Sequence, residues 1–197
     1  MSDERLRELE RRWRSSGATD DEAALLSECI RVGALSQERV RSAAILQHPA
    51  AVLVIGDPQV QDWKEALAEK EVAVRATMVI LERLCRDLKM ELLPSSVSTM
   101  FLVVRSWFLH HSPELVAQIE ACIDNCEAAC LCPMPQPEEV VLMLRLASIL
   151  GQTVINHVEG VSELMSTLVL CTPAPDDFVV HVLRTDLCPW LLGYDNA

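Results

Sequence analysis

Positive charge almost disappears from this chain after residue 90. Arg105, Arg145 and Arg184 are the only Lys or Arg residues beyond that point, against thirteen acids from Glu91 to Asp195. The first ninety residues nearly balance, with fourteen cations and sixteen acids, so the second part carries most of the formal charge of −12. A surface of that sign repels phosphate backbones and anionic membranes, which excludes nucleic acid as an expected partner, and it steers a basic protein towards itself. Long apolar runs are missing as well. The most apolar segments, Val140 to Leu150 and Val161 to Cys171, are eleven residues each and the first contains Arg145; a membrane-spanning helix needs roughly 20. No membrane insertion is expected. The start of the chain, from Met1 to Trp13, is densely charged and lacks the apolar stretch of a secretory leader, so a cytoplasmic location is expected. Glycine is scarce: six residues, placed where helices end, leave few of the close-approach turns that cofactor sites use. There is no Gly-rich phosphate loop, no His-Glu-x-x-His and no nucleophile elbow, so neither a cofactor nor an enzymatic activity is expected.

What the chain does have is helix punctuation. Its 197 residues are 50% hydrophobic with a mean hydropathy of +0.20, enough for one large core or two small ones. Ser2 precedes a first helix whose Leu6, Leu9 and Trp13 share a face, and Gly17 follows it. Thr19 and Glu22 have the spacing of a capping box, and Gly33 closes the helix they open. Ser36 starts another, and Pro49 opens a short one that ends at Gly56. Longer segments follow: Glu71 to Lys89, Ser95 or Ser96 to His110, and a run from the Ser112-Pro113-Glu114 cap to about Cys130. The prolines of the loop from Cys132 to Pro137 break the pattern, and Glu138 and Glu139 begin a helix running towards His157. Gly160 is read as separating it from Val161 to Leu170, and Phe178 to Leu187 reads as helix rather than strand. The expected fold is all-α, a compact array of eight to ten helices packed antiparallel, orthogonally or in a repeat-like manner. A short-helix module at 1–57 and a larger acidic helical domain at 58–197 are expected to pack as one unit.

Leu9-Glu10-Arg11-Arg12-Trp13-Arg14, Asp21-Glu22-Ala23, Arg31-Val32-Gly33-Ala34-Leu35-Ser36 and the stretch Ala43 to Ala51 with His48-Pro49 form one composite pattern. It resembles the amino-terminal helical module of a group of bacterial proteins of uncharacterised function, common in myxobacteria and related large-genome lineages. A weaker likeness continues through Trp63, Trp107 and Cys130-Leu131-Cys132-Pro133. The resemblance implies helical architecture and a bacterial source, and assigns no activity to any residue; within it His48-Pro49 is a turn before a helix.

Cys122, Cys126, Cys130 and Cys132 are the one constellation with metal or redox potential among eight cysteines. Zinc motifs converge two cysteines two to four residues apart in a turn, whereas a helix strings i, i+4 and i+8 along its axis. Small core residues are therefore the favoured reading, and no metal is expected. His110-His111 and His157 are read as structural residues at helix ends. Trp63, Trp107 and Trp190 are expected to be buried anchors, and Trp13, beside Arg11, Arg12 and Arg14, to pack with Leu6 and Leu9.

These features suggest a non-enzymatic, cytoplasmic protein-binding module. Its most concrete form is an immunity or antitoxin-like protein whose acidic helices, through Glu114, Glu120, Asp124, Glu127, Glu138 and Glu139, take a basic protein partner. A scaffold or adaptor in a bacterial signalling or motility complex, and a thiol- or metal-dependent sensor, are the alternatives; an acidic surface that serves only solubility is the plainest. The oligomeric state is left open.

Overall fold

The computed structural model describes residues 2–58, 62–88, 93–132, 136–171 and 174–194. Among them the chain is all α: ten α-helices of seven residues or more, one four-residue helix, a 3-10 turn, a π turn and no strand. Residues 133–135 of the expected proline loop, with Lys89, Leu92, Thr172 and Pro173, lie outside the described residues.

Two compact units divide the chain. The first is Met1–Leu67 joined by Leu183–Ala197, and the second is Ala68–Val182. The boundary expected at 57/58 therefore moves to Leu67, and the carboxy-terminal segment leaves the second domain for the first. The cause lies in burial. Trp63, Ala66 and Leu67 of the 3-10 turn sink into the first core, as do Leu183, Leu187, Cys188 and Leu191 from the far end of the chain.

In the first unit α1 (Ser2–Ser16) packs on α2 (Thr19–Arg31), α2 on α4 (Pro49–Ile55), and α3 (Gln37–Ile45) on α4 and the 3-10 turn Trp63–Leu67. Gly17, Gly33 and Gly56 stand at helix ends with positive φ, the conformation that favours glycine. Ser36 caps α3 by accepting from Arg39 N, as its position predicts. The capping box at Thr19 does not form. Ala18 occupies the cap and Thr19 is already helical, while Asp21 is held by Arg12 and Ser16, and Glu22 is turned to a tyrosine near the end of the chain.

The second unit is arranged around α8 (Glu138–Ile155). Ten of its residues between Met143 and Val154 are buried. A helix that is apolar nearly all round must be enclosed, and α5 (Lys70–Asp87), α6 (Ser95–His110), α7 (Pro113–Cys130) and α9 (His157–Cys171) all pack on it; α10 (Pro175–Val182) lies against α5 and α9. Glu127 meets Ser148 and Cys130 meets Val141, so α7 and α8 run antiparallel.

Gly160 does not separate two helices. The break falls at Asn156 (φ −136°, ψ 91°), His157 begins α9 instead of ending α8, and Gly160 lies inside α9. A Cβ there would fall on Thr153 Oγ1, with Thr153 Cα and N only 2.7 Å away. The glycine is a point of contact between α8 and α9. Gly160→Ala is expected to cost about 1–3 kcal/mol by overpacking, lowering the thermal midpoint by roughly 2–4 °C per kcal/mol for a chain of this size. The exposed neighbour Ser162→Ala should change it little, and equal midpoints for the two variants would refute the contact.

Candidate functional site

Six acids were expected to form a partner surface, and all six are exposed. At about 100° per residue, Glu120, Asp124 and Glu127 fall on one side of α7, and Leu131 at its C-cap continues the same line with 83% of its surface exposed. Glu114 stands apart. It lies in the first turn, rotated by roughly 110° from the others and about 20 Å along the axis from Glu127. Its own backbone amide and the Ser112 hydroxyl lower its carboxyl below the usual range. Glu138 and Glu139 occupy the first turn of α8, where the helix dipole favours them. The acids are thus spread along one helical hairpin instead of gathered at a point.

Between α7, α8 and α9 lies a groove of about 350 Å³ lined by Glu127, Leu131, Arg145, Ser148 and Glu163. Ser148 donates to Glu127 at 3.2 Å. The groove thus sets two carboxylates, one guanidinium and an exposed leucine side by side.

Two of the four cysteines pack as core residues. Cys122 and Cys126 are buried, Cys130 is half-buried and Cys132 is exposed beyond the helix end. Burial pushes the Cys126 thiol up to about 11 and raises those of Cys122 and Cys130. Among the described residues no three of His, Cys, Asp and Glu are grouped as a metal ion would require. A protonated, enclosed thiol is a poor nucleophile. Under native conditions a thiol reagent should therefore label Cys132 first, while Cys126, and Cys188, which burial pushes up to about 12, react only on unfolding; fast native labelling of Cys126 would contradict this packing.

The first unit contains a polar network that sequence reasoning missed. Tyr194 OH donates to Glu22 Oε1 at 2.6 Å, and His48 Nε2 lies 3.7 Å from the same oxygen. Trp13 stacks on Tyr194 with ring centroids 4.7 Å apart, so Trp13 packs as expected, with a partner the sequence did not name. Arg184 Nε donates to Leu46 O at 2.9 Å, and His48 Nδ1 is enclosed without a hydrogen-bond partner. Burial lowers the His48 pKa; Glu22 opposes the shift and Arg184 adds to it. Burial and Glu22 both raise the Tyr194 pKa. One signal was available: Tyr194 is the chain's single tyrosine, and a buried phenol needs an acceptor.

Other expectations shift in detail. Trp63 and Trp107 are buried, but Trp190 is half-buried with the Arg39 guanidinium 4.0 Å over its ring. His111 closes α6 in the left-handed region (φ 46°), edge-on to Trp107 and 3.4 Å from Glu71.

A folded pKa below the unfolded value means that the folded surroundings favour neutral His48 over its protonated form; the resulting stability is present above about pH 6.5 and is lost as the pH falls through the folded pKa. An NMR titration should place the His48 midpoint below 6.5, and Glu22→Gln should lower it further by removing the opposing charge. A midpoint at or above the ordinary value would contradict the burial. Tyr194→Phe should cost about 1.5–3 kcal/mol, the range for hydrogen bonds to charged groups.

The fold and these sites define an all-α protein with an acidic helical hairpin and a part-buried polar network. No helix among the described residues is long and apolar enough to cross a membrane. Compared with protein-family models, with curated proteins and with solved structures, the chain matches none.

Proposed function

We propose that the chain is a non-enzymatic protein-binding module of a bacterial cytoplasm, most concretely an immunity or antitoxin-like protein that receives a basic protein on the α7–α8 hairpin. The observation that carries this reading is the line formed by Glu120, Asp124, Glu127 and Leu131 along one side of α7. Carboxylates exposed in a row accelerate the encounter with a cationic surface. Charge alone gives little net affinity at an exposed surface. An exposed leucine in the same line supplies the apolar contact from which binding energy usually comes. The scarcity of cations after residue 90 supports the choice of a basic partner, and the resemblance of the first fifty residues to a bacterial module supports the source.

The test is capture of a basic partner at low salt, followed by association kinetics of the identified complex. Replacing Glu120, Asp124 and Glu127 by Lys should slow association by about tenfold or more at low ionic strength. The wild-type rate should fall as salt shortens the screening length to roughly 10 Å at 0.1 M. Leu131→Ala should act on dissociation instead. Association that is insensitive both to salt and to the triple reversal would leave the charge with a solubilising role and remove the support for this function.

A further inference from the structure

Tyr194 stands on a hinge. Leu191 and Leu192 before it are buried in the first core, whereas Gly193 is exposed at φ 78°, and a Cβ built on it would meet open space. A glycine so placed can turn the residue that follows it without moving the leucines that precede it. Two contacts hold the Tyr194 side chain, the stack on Trp13 and the hydroxyl's bond to Glu22 Oε1 at 2.6 Å. Held there, the ring forms one wall of a cavity of about 620 Å³ that Leu6, Trp13, Leu25 and Cys29 also line.

The oxygen that receives the hydroxyl is the one that stands 3.7 Å from His48 Nε2. A neutral imidazole at that distance leaves it to the tyrosine. A protonated one brings a full charge to the same oxygen, while its enclosed Nδ1–H lacks an acceptor until water is admitted. Removing the Tyr194 ring admits water to Glu22 Oε1 and so to the imidazole beside it.

The surrounding charges fix the sign. Burial and Arg184 oppose a proton on His48, and Glu22 from α2 favours one, with the balance against it. Other groups near α4 are engaged elsewhere: Asp21 with Arg12 and Ser16, Glu28 with Arg31, Arg39 with the Trp190 ring. Glu38 and Arg41 of α3 are exposed, and the Leu46 carbonyl is taken by Arg184. Burial keeps Cys188 and Tyr194 protonated. The closed arrangement is thus intact above about pH 6.5 and is lost as the pH falls through its lower His48 value.

We propose that Tyr194 is an acid-released latch: protonation of His48 takes Glu22 from the tyrosine, the ring swings out about Gly193, and the cavity beside Trp13 opens while the leucines from Leu183 to Leu192 stay seated.

The experiment uses the full chain grown with 3-fluorotyrosine, which labels Tyr194 alone, and follows its fluorine resonance between about pH 8 and pH 5, the range in which histidine titrates. Broadening by a neutral gadolinium chelate reports exposure of the ring. It should rise at least threefold in acid, with a midpoint below about 6.5, at unchanged helix content by circular dichroism. His48→Gln should abolish the rise, and Glu22→Gln should leave the ring exposed at every pH. Asp195→Asn, which removes the next charge in the chain, should leave the midpoint in place. Tyr194→Ala should bind 1-anilinonaphthalene-8-sulfonate at neutral pH as the wild type does only in acid. Three results would overturn the proposal: a ring protected throughout, a rise that persists in His48→Gln, or one that disappears in Asp195→Asn. Exposure that appears only together with loss of helix would be general acid unfolding and would overturn it as well.

Discussion

The second unit depends on the enclosure of α8. Burying ten residues between Met143 and Val154 removes most of the later two-thirds of this helix from water, and this is favourable only if other helices cover its apolar sides. Four do so, and each must give its apolar face to α8. The polar residues of α7 and α9 are thereby turned outward, and since almost all of them that carry charge are acids, the outer surface becomes acidic without any further requirement. Gly160 and Gly151 belong to the same constraint, for at both a Cβ would meet atoms of a neighbouring helix, Thr153 in one case and Ile123 and Met100 in the other.

Much of this was legible where the signal was local. Ser36, Pro49, Ser112 and Pro113 mark helix starts by their own hydrogen-bonding and φ preferences, and the structure places helices where they point. Reading failed where a local signal had a distant competitor. Thr19 and Glu22 have the spacing of a capping box, but Glu22 is drawn to Tyr194, 172 residues away. Gly160 looks like a breaker until Thr153 is beside it, and only then is it a packing residue. The first unit's boundary was hidden for the same reason: nothing near Leu67 announces that Leu183, Leu187 and Leu191 will complete its core.

The candidate site divides along that line. Periodicity was enough to place Cys122 and Cys126 in a packed interior and to line up Glu120, Asp124 and Glu127, because both follow from the pitch of one helix. The network of Glu22, His48 and Tyr194 joins α2, the start of α4 and the far end of the chain, and no pattern within a single element could assemble it.

The discontinuity of the first unit affects the order in which the protein is made. A ribosome delivers α1 to α4 first, yet the residues that close their core and bind Glu22 and Leu46 come after the whole of the second unit has been synthesised. Domains generally fold as they emerge, from the amino terminus onward. Here the sequence reverses that schedule: the second unit has all its helices before the first has its last ones, and α1 to α4 must wait, with one part of their core still open, until Leu183 to Tyr194 arrive.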